Sequence, residues 1–317
     1  MSDYLNKEVW LIGAGTMAID YVKVLHALGI KFKVIGRGES SAKKLCEVAG
    51  CEVTTGGIEK ALADLPPPEY AIIATGIEQL AHATSLMLNS GVRNILVEKP
   101  GGFYEQVEEL ALLAEKKNAN VVLGYNRRFY AAVLKAKEII NEDGGVSSFN
   151  FEFTEWAHTI EPLQKASGVK EQWLLGNSSH VIDLAFYLGG KPKEMSSFVK
   201  GSLSWHPSAS AFAGAGVSET GALFSYHANW ASPGRWSVEV LTEKHRLIFR
   251  PMEKLQIQKI GSVAIEDVAV DYKLDSDFKP GLFLQVEHFL NGNTQILPTI
   301  QEQLAGVDIY KRINFSK

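Results

Sequence analysis

Cysteine is scarce: Cys46 and Cys51 are the two thiols in 317 residues. Two thiols cannot complete a four-ligand zinc site, and a lone pair is not the spaced series of a disulfide framework. No metal-ligand spacing is found elsewhere, so no metal is expected. Long basic runs are also missing. The 32 Lys and Arg face 36 Asp and Glu, a formal charge of −4, whereas nucleic-acid binding needs a clustered positive footprint. No apolar stretch approaches the ~18 residues of a spanning helix. Met1-Ser2-Asp3-Tyr4 shows no basic region followed by an apolar one, so no signal peptide or membrane partner is expected and the chain reads as cytoplasmic. Internal repeats and low-complexity segments are absent. What is present is an ordinary globular composition, 46% hydrophobic and 21% charged, which excludes general disorder. At ~150 residues per domain the length suggests about two domains.

The first part of the chain alternates short apolar runs with helical periodicity. Val9–Ile12, Phe32–Ile35, Tyr70–Ala74, Asn94–Val97 and Asn120–Leu123 read as buried strands, with Cys51–Thr54 a weaker one. Thr16–Leu28, Ser40–Ala49, Leu80–Asn89 and Tyr104–Lys117 read as helices, with Ser40 or Ser41 as the cap of the second. Strand–helix alternation at this spacing predicts a doubly wound parallel sheet covered on both faces. After about residue 125 the pattern changes. A helix over Ala131–Ile140 precedes Phe149, Phe151 and Phe153, which alternate with polar residues at period two. A helix over His180–Leu188 follows. Strand-like segments then succeed one another from about Met195 to Ile260, and helix returns at Gly281–Leu290. The fold class expected is α/β, with a mostly antiparallel, open sheet in the second part. The boundary falls near Gly124, giving domains 1–124 and 125–317.

Gly13-Ala14-Gly15-Thr16-Met17-Ala18 follows a strand and opens a helix. Gly13 permits the tight turn, Gly15 lets the backbone approach a pyrophosphate, and Ala18 allows close helix–strand packing. The helix start offers the N–H groups of Thr16 and Met17 to phosphate. This is a Rossmann nicotinamide-dinucleotide signature. At the end of the second strand, an acid would hold the ribose 2′-hydroxyl of NAD. The chain has Gly36 there, followed by Arg37. Arginine can hold a 2′-phosphate with paired, charge-assisted bonds, and Ser40, Ser41 and Lys43 could add to that pocket. The cofactor expected is NADP, with NAD possible through Glu39 as a displaced acid. Thr75, at the end of a central strand, is a further cofactor-side candidate.

Glu98-Lys99-Pro100 also ends a strand. Pro100 stops the ladder and biases Lys99 toward an extended backbone. A lysine held near a nicotinamide and partly desolvated is suited to acid–base work. Together with His82, in the helix after the Tyr70–Ala74 strand, and the segment Gly124-Tyr125-Asn126-Arg127-Arg128-Phe129, these motifs resemble the Gfo/Idh/MocA oxidoreductases, typified by glucose-fructose oxidoreductase and inositol dehydrogenase. Their order and spacing match over nearly the whole chain. The resemblance implies a Rossmann domain for NAD(P) over 1–124 and a substrate-binding and oligomerisation domain over 125–317. It also implies a homodimer or homotetramer through the C-terminal sheet, and contact of His82 and Glu98 with the cofactor.

The family's remaining site motif is an aspartate, three residues, then a histidine. His180 matches the histidine, but Gly176 stands in the aspartate's place. Asn177 and Ser178 are polar neighbours without charge. Asp183, one turn beyond His180, is expected to fix the helix or the imidazole tautomer. Tyr125, Asn177 and Trp156 are candidate substrate contacts. Trp173, Trp205, Trp230, His158, His206 and His227 could line a sugar pocket, although aromatic residues on sheets more often pack cores. The Trp156–Gln172 segment, with Pro162 and Gly168, is a candidate substrate-covering loop.

The reading implied is an NADP(H)-dependent oxidoreductase acting on a sugar, polyol or sugar nucleotide. Lys99 would exchange the proton of the reacting oxygen and His180 would hydrogen-bond it. Two alternatives remain. One is a reductase of the same fold for an imine, amino acid derivative or tetrapyrrole. The other is a catalytically silent NADP(H) sensor, an idea that Gly176 favours.

Overall fold

A computed structural model describes residues 7–315; Met1–Tyr4 lie outside the described residues. The chain alternates β1 (Glu8–Ile12), α1 (Thr16–Ala27), β2 (Lys31–Ile35), α2 (Glu39–Ala49), β3 (Val53–Thr54), α3 (Gly57–Asp64), β4 (Tyr70–Ile73), α4 (Ile77–Asn89), β5 (Asn94–Val97), α5 (Tyr104–Lys116) and β6 (Asn120–Leu123). There follow α6 (Ala131–Glu142), β7 (Ser148–Glu152), α7 (Ala157–Ile160), α8 (Ser179–Gly189), β8 (Pro192–Lys200), β9 (Ala211–Ser218), β10 (Leu223–Asn229), β11 (Ser237–Leu241), β12 (His245–Phe249), β13 (Gln256–Lys259) and β14 (Glu266–Asp267). The helices α9 (Lys273–Asp277), α10 (Leu282–Leu290) and α11 (Ile300–Phe315) end the chain.

Two compact units emerge. One holds the chain up to Asn126 together with Asp275–Ala305; the other holds Arg127–Leu274 and the chain from Gly306. A single cut at 124 therefore differs from the observed division, because the chain returns to its first unit. The return is physical. The amide of Leu123 donates to the Pro298 carbonyl at 2.8 Å, Lys7 Nζ reaches the Leu290 carbonyl, and α10 packs on α1. Helix α11 was not expected from the sequence, although Ile300, Val307, Tyr310 and Ile313 recur at helical spacing and are buried.

The first unit is a six-stranded sheet in the order β3-β2-β1-β4-β5-β6, parallel throughout. Its central strands are apolar on both faces: Val9, Trp10 and Leu11 of β1 and Ala71, Ile72 and Ile73 of β4 are fully buried. That is what helices on both sides of a parallel sheet require. Helix α2 starts one residue earlier than expected, with Gly38 rather than Ser40 or Ser41 at its cap.

The second unit is an eight-stranded sheet, β14-β13-β12-β11-β7-β10-β9-β8. It is antiparallel except for β7 beside β10. Period-two alternation drives one face inward. Phe149 and Phe151 of β7 stack on Phe224 and Tyr226 of β10, and Phe186 of α8 closes edge-on against them. The fold class is α/β, a parallel Rossmann sheet followed by a large, mostly antiparallel one.

Candidate functional site

In the first unit the site begins at the β1–α1 turn. Gly13 has φ of +120°, and a Cβ built there would meet the Ala74 carbonyl oxygen at 2.4 Å. Gly15 differs: a Cβ there would meet nothing within 4 Å. Gly15 is the N-cap of α1, and no side chain caps that helix. The amides at Thr16 and Met17 thus begin a helix whose start carries partial positive charge and borders open space. A backbone stripped of side chain, with room in front of it, fits the pyrophosphate of a dinucleotide.

The 2′ position of the ribose would fall at the end of β2. A Cβ on Gly36 would lie 2.9 Å from Val53 Cγ1 and 3.3 Å from Ala14 Cβ. An acidic side chain has no room to start there. Arg37 is exposed; its carbonyl accepts from the Gly56 amide at 3.3 Å, and its side chain makes no ion pair or hydrogen bond among the described residues. Ser40 is exposed in the first turn of α2. Thr75 follows β4, half-buried, its hydroxyl 3.4 Å from the Gly76 carbonyl. His82 lies in the second turn of α4 with its Nε2 3.7 Å from Glu59, exposed to solvent.

Lys99 ends the β5 segment, half-buried, before a cis Pro100. Its neighbour Glu98 accepts a hydrogen bond from Tyr21 Oη of α1 at 2.7 Å, and Gln285 Nε2 of α10 donates to the same phenol oxygen at 3.0 Å. Burial pushes the Glu98 carboxyl above its ordinary range, opposed by the Tyr21 bond and the Lys99 charge. Burial, then the Glu98 charge, raises the Tyr21 phenol. Glu98 is thus engaged by α1 beside Lys99, an arrangement that keeps a negative partner next to the ammonium. The Tyr21 and Gln285 members of this cluster were not found from the sequence, since they stand 264 residues apart.

Tyr125 requires a correction. It is 1% exposed, and its hydroxyl donates to Gln303 of α11 at 3.1 Å. A side chain so enclosed has no surface for a substrate.

In the second unit, the chain before α8 forms a π-helical turn over Leu174–Ser178 that contains Gly176 and Asn177. Such one-residue insertions recur at functional sites. His180 lies in the first turn of α8, its ring 6.2 Å from that of Trp236. Asp183 fixes the helix, one of the two roles expected of it. Its two oxygens accept from Arg128 Nε at 2.9 Å and Nη2 at 2.6 Å, a bidentate pair that ties α8 to the segment before α6. Asn177 Nδ2 donates to Glu155 Oε1 at 2.9 Å, and Ser178 Oγ donates to the same oxygen at 2.8 Å. Trp156 is 46% exposed, its Nε1 bonded to the Gly234 carbonyl. Its face lies 4.8 Å from the Arg235 guanidinium, which also covers Trp236 at 4.6 Å. Arg127 covers the other neighbourhood of Trp236 at 5.0 Å, and burial lowers the pKa of its guanidinium. Glu155, Arg235 and Trp236 carried no motif and were missed, and Arg127, within the Gly124–Phe129 segment, was given no role of its own.

The remaining aromatic candidates separate cleanly. Trp205 stacks on Trp230 with centroids 5.8 Å apart, and His206, fully buried, lies 4.6 Å from Trp230. Burial lowers the His206 pKa, as core packing predicts. Trp173 closes on Trp205 edge-first. His227 is exposed, 3.8 Å from Glu152. No group of three or more His, Cys, Asp or Glu able to hold a metal occurs among the described residues, and none of their helices is long and apolar enough to cross a membrane.

A six-stranded parallel sheet that opens on this glycine turn has the form of a dinucleotide-binding Rossmann fold. Residues 7–125 match the profile described as the oxidoreductase family with an NAD-binding Rossmann fold, GFO_IDH_MocA. No curated protein sequence matches the chain. Solved structures resemble it over nearly their full length. Levoglucosan dehydrogenase in complex with NADH and levoglucosan is 18% identical, with 97% of this chain and 95% of that chain covered at a TM-score of 0.76. UDP-N-acetylglucosamine 3-dehydrogenase from Acidithiobacillus ferrooxidans is 14% identical, with 98% and 97% covered at 0.74. A protein provisionally described as an NADPH-dependent oxidoreductase, from Desulfitobacterium hafniense, is 22% identical, with 96% and 93% covered at 0.75. At these identities the likeness is one of fold.

Proposed function

We propose that the chain transfers a hydride between NADP(H) and a carbinol or keto carbon of a sugar, polyol or sugar nucleotide. The observation that carries the reading is the open backbone at Gly15, at the head of an uncapped helix. Gly13, Gly15, Thr16 and Met17 would hold the pyrophosphate. Arg37, with Ser40, would hold the 2′-phosphate, since Gly36 leaves no space for an acid. Thr75, His82 and Glu98 complete the cofactor side of the reading.

The nicotinamide supplies or accepts the hydride. Lys99 gives a proton to, or takes one from, the oxygen on the reacting carbon; a primary ammonium beside a buried carboxylate can do either as its charge is regulated. His180 donates a hydrogen bond to the same or an adjacent hydroxyl, and Asn177 and Trp156 orient the substrate. The sugar class is supported by what the similar structures are named for, levoglucosan and UDP-N-acetylglucosamine. Phe198 and Leu223, 68% and 62% exposed on the eight-stranded sheet, support a homodimer or homotetramer through that sheet.

The test is NADPH oxidation and NADP reduction measured across sugars, keto-sugars, polyols and sugar nucleotides. Turnover of at least one, with Lys99→Ala losing ~100-fold in kcat or more and NADPH affinity within twofold, is expected. A second reading, a silent NADP(H) sensor, is favoured by the missing carboxylate at Gly176; NADPH binding without turnover across the whole panel would select it.

A further inference from the structure

We infer that Glu155 is a positioning residue that fixes the amide of Asn177 so that its carbonyl oxygen, rather than a carboxylate at position 176, faces the substrate. The inference deepens the proposed function and rests on it for the identity of the substrate, but not for the geometry.

Asn177 is half-buried in the π-helical turn, and Glu155 is 2% exposed. A carboxylate only accepts hydrogen bonds. Of the two ends of the Asn177 amide, the NH2 must therefore face Glu155, as the 2.9 Å bond shows. The orientation of an asparagine is otherwise ambiguous; here the carboxylate dictates it. The Oδ1 end then points away from Glu155. Ser178 confirms that the carboxylate organises this turn. It stands at the N-cap position of α8, where a serine hydroxyl ordinarily accepts from a helix amide, yet it caps nothing and donates to Glu155 at 2.8 Å. Arg235 Nη1 lies 3.7 Å from the other carboxylate oxygen, so the buried charge has a cationic neighbour. The π-helical turn places both donors, Asn177 and Ser178, three and two residues before His180, on one oxygen.

The consequence is chemical. The turn offers the substrate a neutral acceptor whose direction is enforced by a buried charge. It selects a group that donates, a hydroxyl or an amide N–H.

The test swaps the pair. In Asn177→Asp two carboxylates oppose one another; in Glu155→Gln the amide of Asn177 is no longer dictated. In Glu155→Gln/Asn177→Asp the new glutamine donates to the new aspartate and restores an outward-facing acceptor. With levoglucosan and UDP-N-acetylglucosamine as probes, each single variant should raise KM at least tenfold, with NADPH affinity unchanged. The double variant should recover to within threefold of wild type. Destabilisation alone would not produce recovery by the swap. A double variant as impaired as the worse single one overturns the proposal.

A second readout needs no substrate. In 1H–15N spectra the Asn177 side-chain amide, assigned by its loss in Asn177→Asp, should show one proton shifted downfield by the carboxylate, and the shift should vanish in Glu155→Gln. An Asn177 amide unchanged by Glu155→Gln overturns the proposal. Absence of turnover across the whole panel of sugars, keto-sugars, polyols and sugar nucleotides, with the shift present, counts against the proposed function and leaves the positioning supported.

Discussion

Gly13 and Gly15 are two residues apart in one turn, and the structure assigns them opposite sensitivities. Alanine at position 13 must adopt φ near +120° and place its Cβ 2.4 Å from the Ala74 carbonyl oxygen. The backbone strain costs about 1–3 kcal/mol, and the backbone contact, which cannot rotate away, adds about 1–3 kcal/mol as overpacking. A loss of about 3 kcal/mol corresponds to a fall of roughly 6–12 °C in the melting of a unit of this size. Alanine at position 15 meets no atom within 4 Å and keeps φ near −86°. Its effect on stability should stay within about 1 kcal/mol, the range of cap substitutions. The methyl group does enter the space in front of the helix start, where phosphate would approach. NADPH affinity should fall at least tenfold, about 1.4 kcal/mol. Melting followed by circular dichroism, and NADPH fluorescence titration, separate the two effects. Gly15→Ala with unchanged NADPH affinity would refute the placement of the pyrophosphate. Gly13→Ala with an unchanged melting temperature would refute the steric argument.

Arg37→Ala should weaken NADPH about tenfold, the loss of one charge-assisted phosphate contact, and leave NADH unaffected; equal losses for both would remove Arg37 from the 2′-phosphate site. Asp183→Ala should cost about 3 kcal/mol by stranding the part-buried Arg128 guanidinium, while the pH dependence of turnover stays in place; a shifted acid limb in kcat would restore a role for Asp183 on His180. Asp143, buried in the second unit, bonds His245 Nδ1 at 2.6 Å and Thr242 Oγ1 at 2.7 Å. Burial pushes its carboxyl up, but these bonds and the His245 and Lys244 charges outweigh that and hold it below the ordinary carboxylate range. A depressed folded pKa stabilises above the unfolded value of ~3.9, and that contribution is lost as pH falls through the folded value. Asp143→Asn should therefore lower stability at pH 7 and flatten its decline below about pH 4, measured by urea titration across pH; an unchanged acid limb would contradict it.

What was legible in the sequence is what is local. The turn at Gly13–Ala18, the end of β2 at Gly36 and the Glu98-Lys99-Pro100 strand end each declare their geometry within a few residues, because strand ends and helix starts are set by short-range backbone constraints. The Phe149–Phe151 alternation likewise announced a sheet with one apolar face. Asp183 shows the limit. Helical spacing makes His180 its natural neighbour, yet it pairs with Arg128, 55 residues away, because a planar guanidinium offers two parallel donors and an imidazole one. Tyr125 is a related case: its motif suggests exposure to substrate, but its hydroxyl bonds Gln303 of α11, 178 residues away, a pairing that no local pattern announces. The return of residues 275–305 to the first unit was invisible for the same cause, since nothing local in α10 names α1 as its neighbour.

The glycine at position 176 shows why a gap in a motif is a weak argument about chemistry. A motif records which residue stands at a position along one element. A site needs a group at a position in space, and the fold can bring that group from another element. Here Glu155 lies beyond the end of β7 and 22 residues before Asn177, yet its oxygen receives both polar side chains that follow Gly176. Burying a carboxylate costs free energy unless donors satisfy it, so its presence under this turn, with two hydrogen bonds and an arginine beside it, is organised rather than incidental. A reading based on the absent aspartate alone inclines toward lost activity. With Glu155 in place, the turn before His180 retains a charge-fixed hydrogen-bonding group, and its polarity toward substrate is changed rather than abolished.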